Sequence, residues 1–407
     1  MGAVVRVRHT SFVDVAARVT RPDHMIEWRG DEIVGVGPDD GGALIDGDIE
    51  GAGLYALPGL IDCHVHVTSI SADEWADSGH PASYVAAHAT RTLAATLRRG
   101  FTTVRDAGGA DPGLARALGE GVITGPRLFT CGKALSQTGG HGDLRPRGRE
   151  LWDPHPDVPG IGRITDGPDA IVRAVREQVR RGATFVKLML SGGVTSPADR
   201  MDGVQFSDDE VRAAVSEAAR LGVYCAGHAY TPEAVHRAIE LGVRTIEHGN
   251  LITAASAALL AARGVFLVPT MATYEVLGTR GPELGLSPQS VQKLTAVGGH
   301  AVEALRLAQE AGVRIAFGTD LLGDMSTAQN LEFALRAQVQ PSWDVLASAT
   351  LVGADLLGET GRLGVLAPGA AADLLLCRAD PGQDVRVLAD PQKALATVVS
   401  RGLVHRV

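Results

Sequence analysis

The chain is poor in cysteine, in basic residues and in long hydrophobic runs. Four of its 407 residues are cysteine, at 63, 131, 225 and 377, and none forms a C-x-x-C pair. Each lies in an apolar, strand-like run. That excludes a disulfide scaffold and fits buried, reduced thiols in a cytoplasmic protein. Lys plus Arg is 38 against 47 for Asp plus Glu, a net charge of −9. With no basic stripe, nucleic acid is not the expected partner. The opening "MGAVVRVRHT" breaks its apolar run with arginines, so it reads as neither a signal h-region nor a membrane span, and it lacks the Ser or Thr of a myristoylation site. No membrane partner is expected. What remains is a chain 45% hydrophobic with 50 glycines, enough for one large core with a small second domain.

To about residue 56 the texture is short β-like runs such as "IEWRGDEIVGVG". From 57 onward, apolar runs of five or six residues alternate with amphipathic stretches. The strand-like runs are "GLIDCHV", "FTTVRDA", "RLFTCG", "TFVKLML", "VYCAGHA", "RTIEHG", "VFLVP" and "RIAFGTD". Helical patterns are expected over about 81–99, 111–120, 169–181, 208–221, 232–241, 254–263, 287–311 and 330–340, with a further helix over 342–357. Ser207 with Glu210 reads as a capping box, and Thr231 with Pro232 as an N-cap followed by proline. Eight strand-then-helix units predict a parallel sheet that closes most simply into a (β/α)8 barrel. A doubly wound sheet competes, but no phosphate-binding glycine fingerprint follows the first strand. After 360, "LGVLAPGAAADLLLC" returns to the texture of the start. The expected organisation is a barrel over 57–360, with 1–56 and 361–407 folding together into a small β-sandwich. Two stretches, about 133–168 and 271–286, read as long functional loops.

Chemistry-bearing residues fall at strand ends. In "LIDCHVHV", His64 and His66 are two apart and share a face of the strand, as two ligands of one metal would. Lys187 interrupts "FVKLML". His228, His248 and Asp320 close the fifth, sixth and eighth strands. Any one of them alone has an ordinary structural explanation: a core histidine, a strand cap, a surface lysine. Six together at the end of a barrel where active sites form is a different matter. A lysine in an apolar strand is costly while charged, and burial lowers its pKa from about 10.4. A neutral amine can add carbon dioxide, and the resulting carbamate can bridge two cations. Arg105 and Asp106, at the end of the second strand, read either as supports of the site or as partners of each other, with pairing the favoured expectation.

At these residues the chain resembles the amidohydrolase superfamily, in its binuclear branch. The resemblance rests on "GLIDCHVHV", "FVKLMLSGG", "GHAYT", "IEHGN" and "FGTD", with "LPG" and "APGAAADLLL" flanking the barrel. It implies that His64, His66 and Asp320 hold one divalent ion, that His228 and His248 hold a second, and that carboxylated Lys187 bridges them. Zinc suits these ligands best. The stretches "SQTGGHGD", "KLMLSGGVTSP" and "GHAYTPEA" further resemble Xaa-Pro-type dipeptidases and related N-acyl amino acid (ochratoxin-type) amidohydrolases. That narrower likeness implies that Tyr230 polarises the scissile carbonyl and that His141 contacts the substrate carboxylate. It also implies attack by a metal-bridging hydroxide, with Asp320 carrying the proton to the leaving nitrogen. The expected partner is a small-molecule substrate with a free carboxylate, its anion met by donors of the "SGGVTSP" rim, and the expected state is a homo-oligomer. Other reactions on the same scaffold remain open: a cyclic amidase, an imidazolone hydrolase, a phosphoester hydrolase, or a non-catalytic scaffold.

Overall fold

A computed structural model of the chain describes residues 3–145, 160–196 and 199–406. Part of the 133–168 stretch and Pro197 of the rim loop therefore lie outside the described residues. Leu60–Val65, Phe101–Asp106 and Arg127–Thr130 pair in parallel as a three-stranded sheet. A seven-stranded sheet contains, in spatial order, Gly162–Ile164, Ala134–Ser136, Phe185–Met189, Tyr224–Ala229, Thr245–His248, Phe266–Val268 and Arg314–Ile315, also parallel. Backbone bonds link the two. Cys63 N–H donates to Phe317 O at 2.7 Å and Asp320 N–H to His64 O at 2.8 Å, while Thr184 N–H donates to Thr130 O at 2.8 Å. Every residue of Leu60–Val65, Phe101–Asp106 and Phe185–Met189 is buried. Such two-sided burial is what parallel strands covered by helices require.

The helices that do the covering start where the sequence says. Ser207 and Glu210 form the capping box of Asp208–Arg220, and the Thr231 side chain caps Pro232–Glu240. Three stretches differ. The 287–311 stretch breaks into Pro288–Gly298 and Ala301–Glu310, because the Gly298–Gly299 pair is a poor helix interior. The 342–357 stretch breaks into Ser342–Ser348 and Leu351–Leu357. The expected loop at 271–286 instead contains the helix Met271–Arg280.

Both chain ends enter one eight-stranded sheet. Leu374–Cys377, Leu395–Ser400 and Leu403–Arg406 join Tyr55–Pro58, Val4–Asp14, Val19–Arg29 and Glu32–Pro38 along one path, with Ile49–Glu50 alongside Val4–Asp14. The described pairings run as one continuous path of strands contributed by both chain ends. Alternation along Leu374–Cys377 ties this sheet to the rest. Leu375 and Cys377 pack with Leu60, Leu93 and Phe101, whereas Leu374 and Leu376 pack with Val7, Ile26 and Trp28. No helix among the described residues is long and apolar enough to cross a membrane. All four cysteines are buried and free, and burial pushes the thiols of Cys63, Cys225 and Cys377 up to about 12.

Candidate active site

The strand register brings the polar residues together. Lys187 pairs with Ala226, Met189 with His228, and His228 with Glu247. Laterally paired residues face the same side of a sheet, so Lys187, His228 and Glu247 point into one interior. His248 follows Glu247 and would face the helices if the strand continued. Its φ of +75° turns it back, and Asp320 makes the same turn at φ +54°. Left-handed backbone at non-glycine residues is costly and persists where surrounding structure enforces it. Here it aims two more side chains at the same point.

Four imidazoles, one carboxylate and one amine converge. Asp320 Oδ1 lies 3.3 Å from His64 Nε2 and 3.0 Å from His66 Nε2, and Asp320 Oδ2 lies 3.9 Å from His248 Nδ1. The His228 and His248 ring centres are 4.6 Å apart, those of His64 and His248 5.2 Å. In three of these rings Nδ1 has a partner. His64 Nδ1 is 2.7 Å from Glu247, His66 Nδ1 2.8 Å from Gly108 O, and His248 Nδ1 2.8 Å from the Thr270 hydroxyl. Bracing of this kind fixes which ring nitrogen keeps a lone pair for a cation. Lys187 is 1% exposed, and burial pushes its amine down. Burial alone would raise Asp320, but His64, His66 and His248 outweigh it and hold the carboxyl well below its usual range. Burial also lowers His228 and His248 well below ordinary histidine. His64, His66 and Asp320 place one donor atom each within 4.8 Å of one another. Imidazole nitrogens and a carboxylate, held in place by their neighbours, are donors that suit a borderline divalent cation such as zinc.

Tyr230 and His141 line the same cavity. The Tyr274 hydroxyl donates to the Tyr230 hydroxyl at 2.8 Å, and burial keeps the Tyr230 phenol protonated. The His141 ring stacks on His228 at 4.3 Å, with Nδ1 3.0 Å from the Ser196 hydroxyl. Gly193 approaches that ring so closely that a Cβ there would fall within it. The rim loop is more occupied than its sequence suggests. Gly192 N–H donates to Gly203 O and Gly193 N–H to Asp199 Oδ2, so neither is open to a substrate anion. Asp199 is in turn gripped by Lys293 at 2.8 Å.

Arg105 and Asp106 do not pair with each other. Arg105 Nη2 donates to both oxygens of Glu247, at 2.7 and 2.8 Å, while Asp106 accepts the backbone N–H of Val67, Gly108 and Ala110. Adjacent strand residues face opposite sides, which forbids the expected pair. Glu247, Lys293, Tyr274 and Glu74, which line or brace the site, escape a reading by motif. Glu247 alone carried a signal, as an acid buried beside His248 in "TIEH".

Residues 55–404 match the amidohydrolase family, and the chain belongs to it. It is a hydrolytic enzyme on an α/β fold with parallel sheets. Among its relatives is ochratoxinase of Aspergillus niger, 34% identical over 365 residues that span 86% of this chain and 75% of the relative. A prolidase crystallised with N-methylphosphonate-L-proline superposes with a TM-score of 0.95 at 41% identity, covering 99% of this chain and 100% of that one. A Xaa-Pro dipeptidase with methionine in its active site superposes at 0.88 and 29% identity, with both chains fully covered.

Proposed function

We propose that this enzyme hydrolyses the amide bond of dipeptides or N-acyl amino acids whose leaving group is an amino acid with a free carboxylate, with proline-like residues favoured. The observation that carries the reading is the convergence of His64, His66, His228, His248, Asp320 and buried Lys187 in one cavity under Tyr230. The prolidase and Xaa-Pro dipeptidase likenesses support the choice of bond. We place the parallel strands in a closed (β/α)8 barrel, the two sheets joined by the Phe317, Asp320 and Thr184 bonds. The six residues would hold two divalent cations, zinc by preference, with Lys187 as its carbamate. When bound, the cations would acidify a water and polarise a carbonyl.

The side chains of this chain do the rest. Asp320 takes the proton of the attacking water and delivers it to the amide nitrogen, which cannot leave as an anion. Tyr230 donates to the carbonyl oxygen as charge develops there, its own oxygen polarised by the bond from Tyr274. Glu247 and Gly108 hold His64 and His66 in fixed tautomers. His141 meets the substrate carboxylate and so aligns the scissile bond. In this reading the protein is a cytoplasmic homo-oligomer.

The test is a library of dipeptides and N-acyl amino acids offered to metal-loaded protein, each with its C-terminal amide. Losing the carboxylate should lower kcat/KM by an amount worth about 2–5 kcal/mol, as for breaking a buried charge pair. Equal rates on acid and amide, or a preference for lactams, imidazolones or phosphotriesters, would overturn the reading.

A further inference from the structure

The rim loop that follows Lys187 is zipped at its base. Ser191 and Val204 form an isolated bridge, Gly192 N–H donates to Gly203 O at 3.1 Å, and Gln205 N–H donates to Leu190 O at 2.9 Å. Beyond that base, Gly193 and Ser196 are tied to one ion pair. Asp199 accepts from Gly193 N–H at 3.0 Å, from Gln205 Nε2 at 3.3 Å, from the Ser196 hydroxyl, and from Lys293 Nζ at 2.8 Å. Lys293 Nζ also donates to Gly193 O at 3.0 Å and to Ser196 O at 2.9 Å. Lys293 comes from a different part of the chain, the helix Pro288–Gly298, 100 residues from Gly193.

The residues gripped in this way are the ones that hold His141. Its backbone N–H donates to Gln205 Oε1 at 2.9 Å, its Nδ1 lies 3.0 Å from the Ser196 hydroxyl, and its ring lies against Gly193. Asp199 Oδ2 itself stands 3.8 Å from His141 Nδ1. Both partners of the ion pair are buried, with 3% of the Asp199 side chain exposed and 9% of that of Lys293. An ammonium has three protons to give, and a carboxylate about four positions to accept. Lys293 meets three acceptors and Asp199 four donors, so both are fully used within the protein. A buried ion pair is weak evidence for stability, and its best-attested use is to fix one arrangement over others.

We propose that Lys293 is a positioning residue for the amide hydrolysis. With Asp199 it fixes the rim loop against His141, and so sets where the substrate carboxylate must sit for the scissile bond to lie beside Tyr230. It acts through His141 rather than by touching the substrate. This rests on the amide-hydrolase reading above and on the place given there to His141. Without the ammonium the base of the loop stays zipped, while Gly193 and Ser196 lose a shared anchor and His141 its fixed wall. A displacement of about 1 Å in such a group can cost about 100-fold in rate.

The experiment measures L-alanyl-L-proline and L-alanyl-L-prolinamide, and the same pair with phenylalanine as leaving residue. The proteins are metal-loaded wild type, Lys293→Met, His141→Asn and the double variant of the two. The readout is the ratio of kcat/KM, acid over amide. Lys293→Met should lower that ratio at least about 10-fold, chiefly through KM for the acids, with bound metal unchanged. In the His141→Asn background the same change should lower it less than about 2-fold, because the group it positions is gone. Should Lys293→Met fail to fold, with Asp199 left buried beside no cation, the combination of Lys293→Met and Asp199→Asn removes both charges and is read in its place. An unaltered ratio in Lys293→Met, or an equal fall with and without His141, overturns the role of Lys293 alone. Equal rates on acid and amide in the wild type, or no turnover of either, overturn the amide-hydrolase reading and this one with it.

Discussion

The Glu247→Gln change separates two jobs done by one buried carboxylate. Glu247 accepts from Arg105 Nη2 at 2.7 and 2.8 Å, lies 2.7 Å from His64 Nδ1, and accepts from the Thr245 hydroxyl at 2.6 Å; Arg105 and Glu247 are both fully buried. At an effective dielectric of about 20, unit charges 2.7 Å apart attract by roughly 6 kcal/mol. Desolvation offsets much of that in the intact pair. Removing one partner leaves Arg105 charged and buried, which costs about 3–5 kcal/mol. Losing the carboxylate behind His64 should also weaken metal binding by about 10–100-fold. Denaturant unfolding of the apoprotein reads the first effect and competition with a chelating dye reads the second. The double variant Arg105→Met with Glu247→Gln should recover most of the stability, because no unpaired cation remains, while metal binding stays weak. Wild-type stability in Glu247→Gln, or metal binding that recovers along with stability in the double variant, would refute the division of labour.

Lys187→Ala should lower bound metal from about two ions per chain, measured by elemental analysis, with partial recovery in bicarbonate or a short-chain acid. Retention of both ions and of full activity would remove Lys187 from the bridging role. Asp320→Asn should abolish turnover while circular dichroism stays native; appreciable activity with metal bound would leave Asp320 a ligand only. Burial pushes Glu332 up to about 7, against the opposing pull of Arg336. Its folded pKa then exceeds its ordinary 4.5, so the native state binds more protons between the two values. Stability should therefore fall as pH rises from about 4.5 to 7, and Glu332→Gln should flatten that slope in urea titrations across pH. An unchanged slope would show Glu332 ionised throughout.

Much of the fold was legible because the period of the pattern changes sharply along the chain. Buried strands of five or six apolar residues, each followed by an amphipathic stretch with its own cap, leave few topologies open. The metal-ligand candidates were legible for a related reason. A histidine, lysine or aspartate at the end of a wholly apolar strand departs from its surroundings, and six such departures line up once the strands are placed in parallel. The site-building residues that were missed have no such contrast. Tyr274 and Lys293 lie on helices after the seventh strand, where neither motif nor period marks them. Glu74 sits in a short helix of four residues between the first strand and the first long helix.

The helix Met271–Arg280 shows why local pattern fails at this place. Its N-cap, Thr270, has φ +48° and makes no side-chain cap. The cap comes from afar: Glu332 Oε2 accepts Ala272 N–H at 2.7 Å, across sixty residues. A buried acid supplies the orphan donor's partner that the local sequence omits. The strained Thr270 is thereby freed for another task, because its hydroxyl braces His248 at 2.8 Å. The same helix presents Thr273, Tyr274 and Leu277 to the cavity. A conventional Ser or Asp cap at 270 with extended backbone would make the helix readable from sequence, but it would withdraw the hydroxyl from His248. What the sequence pattern lacks at 270 is therefore the local cost of a contact that the site requires, and that cost is borne by Glu332 from the other side of the fold.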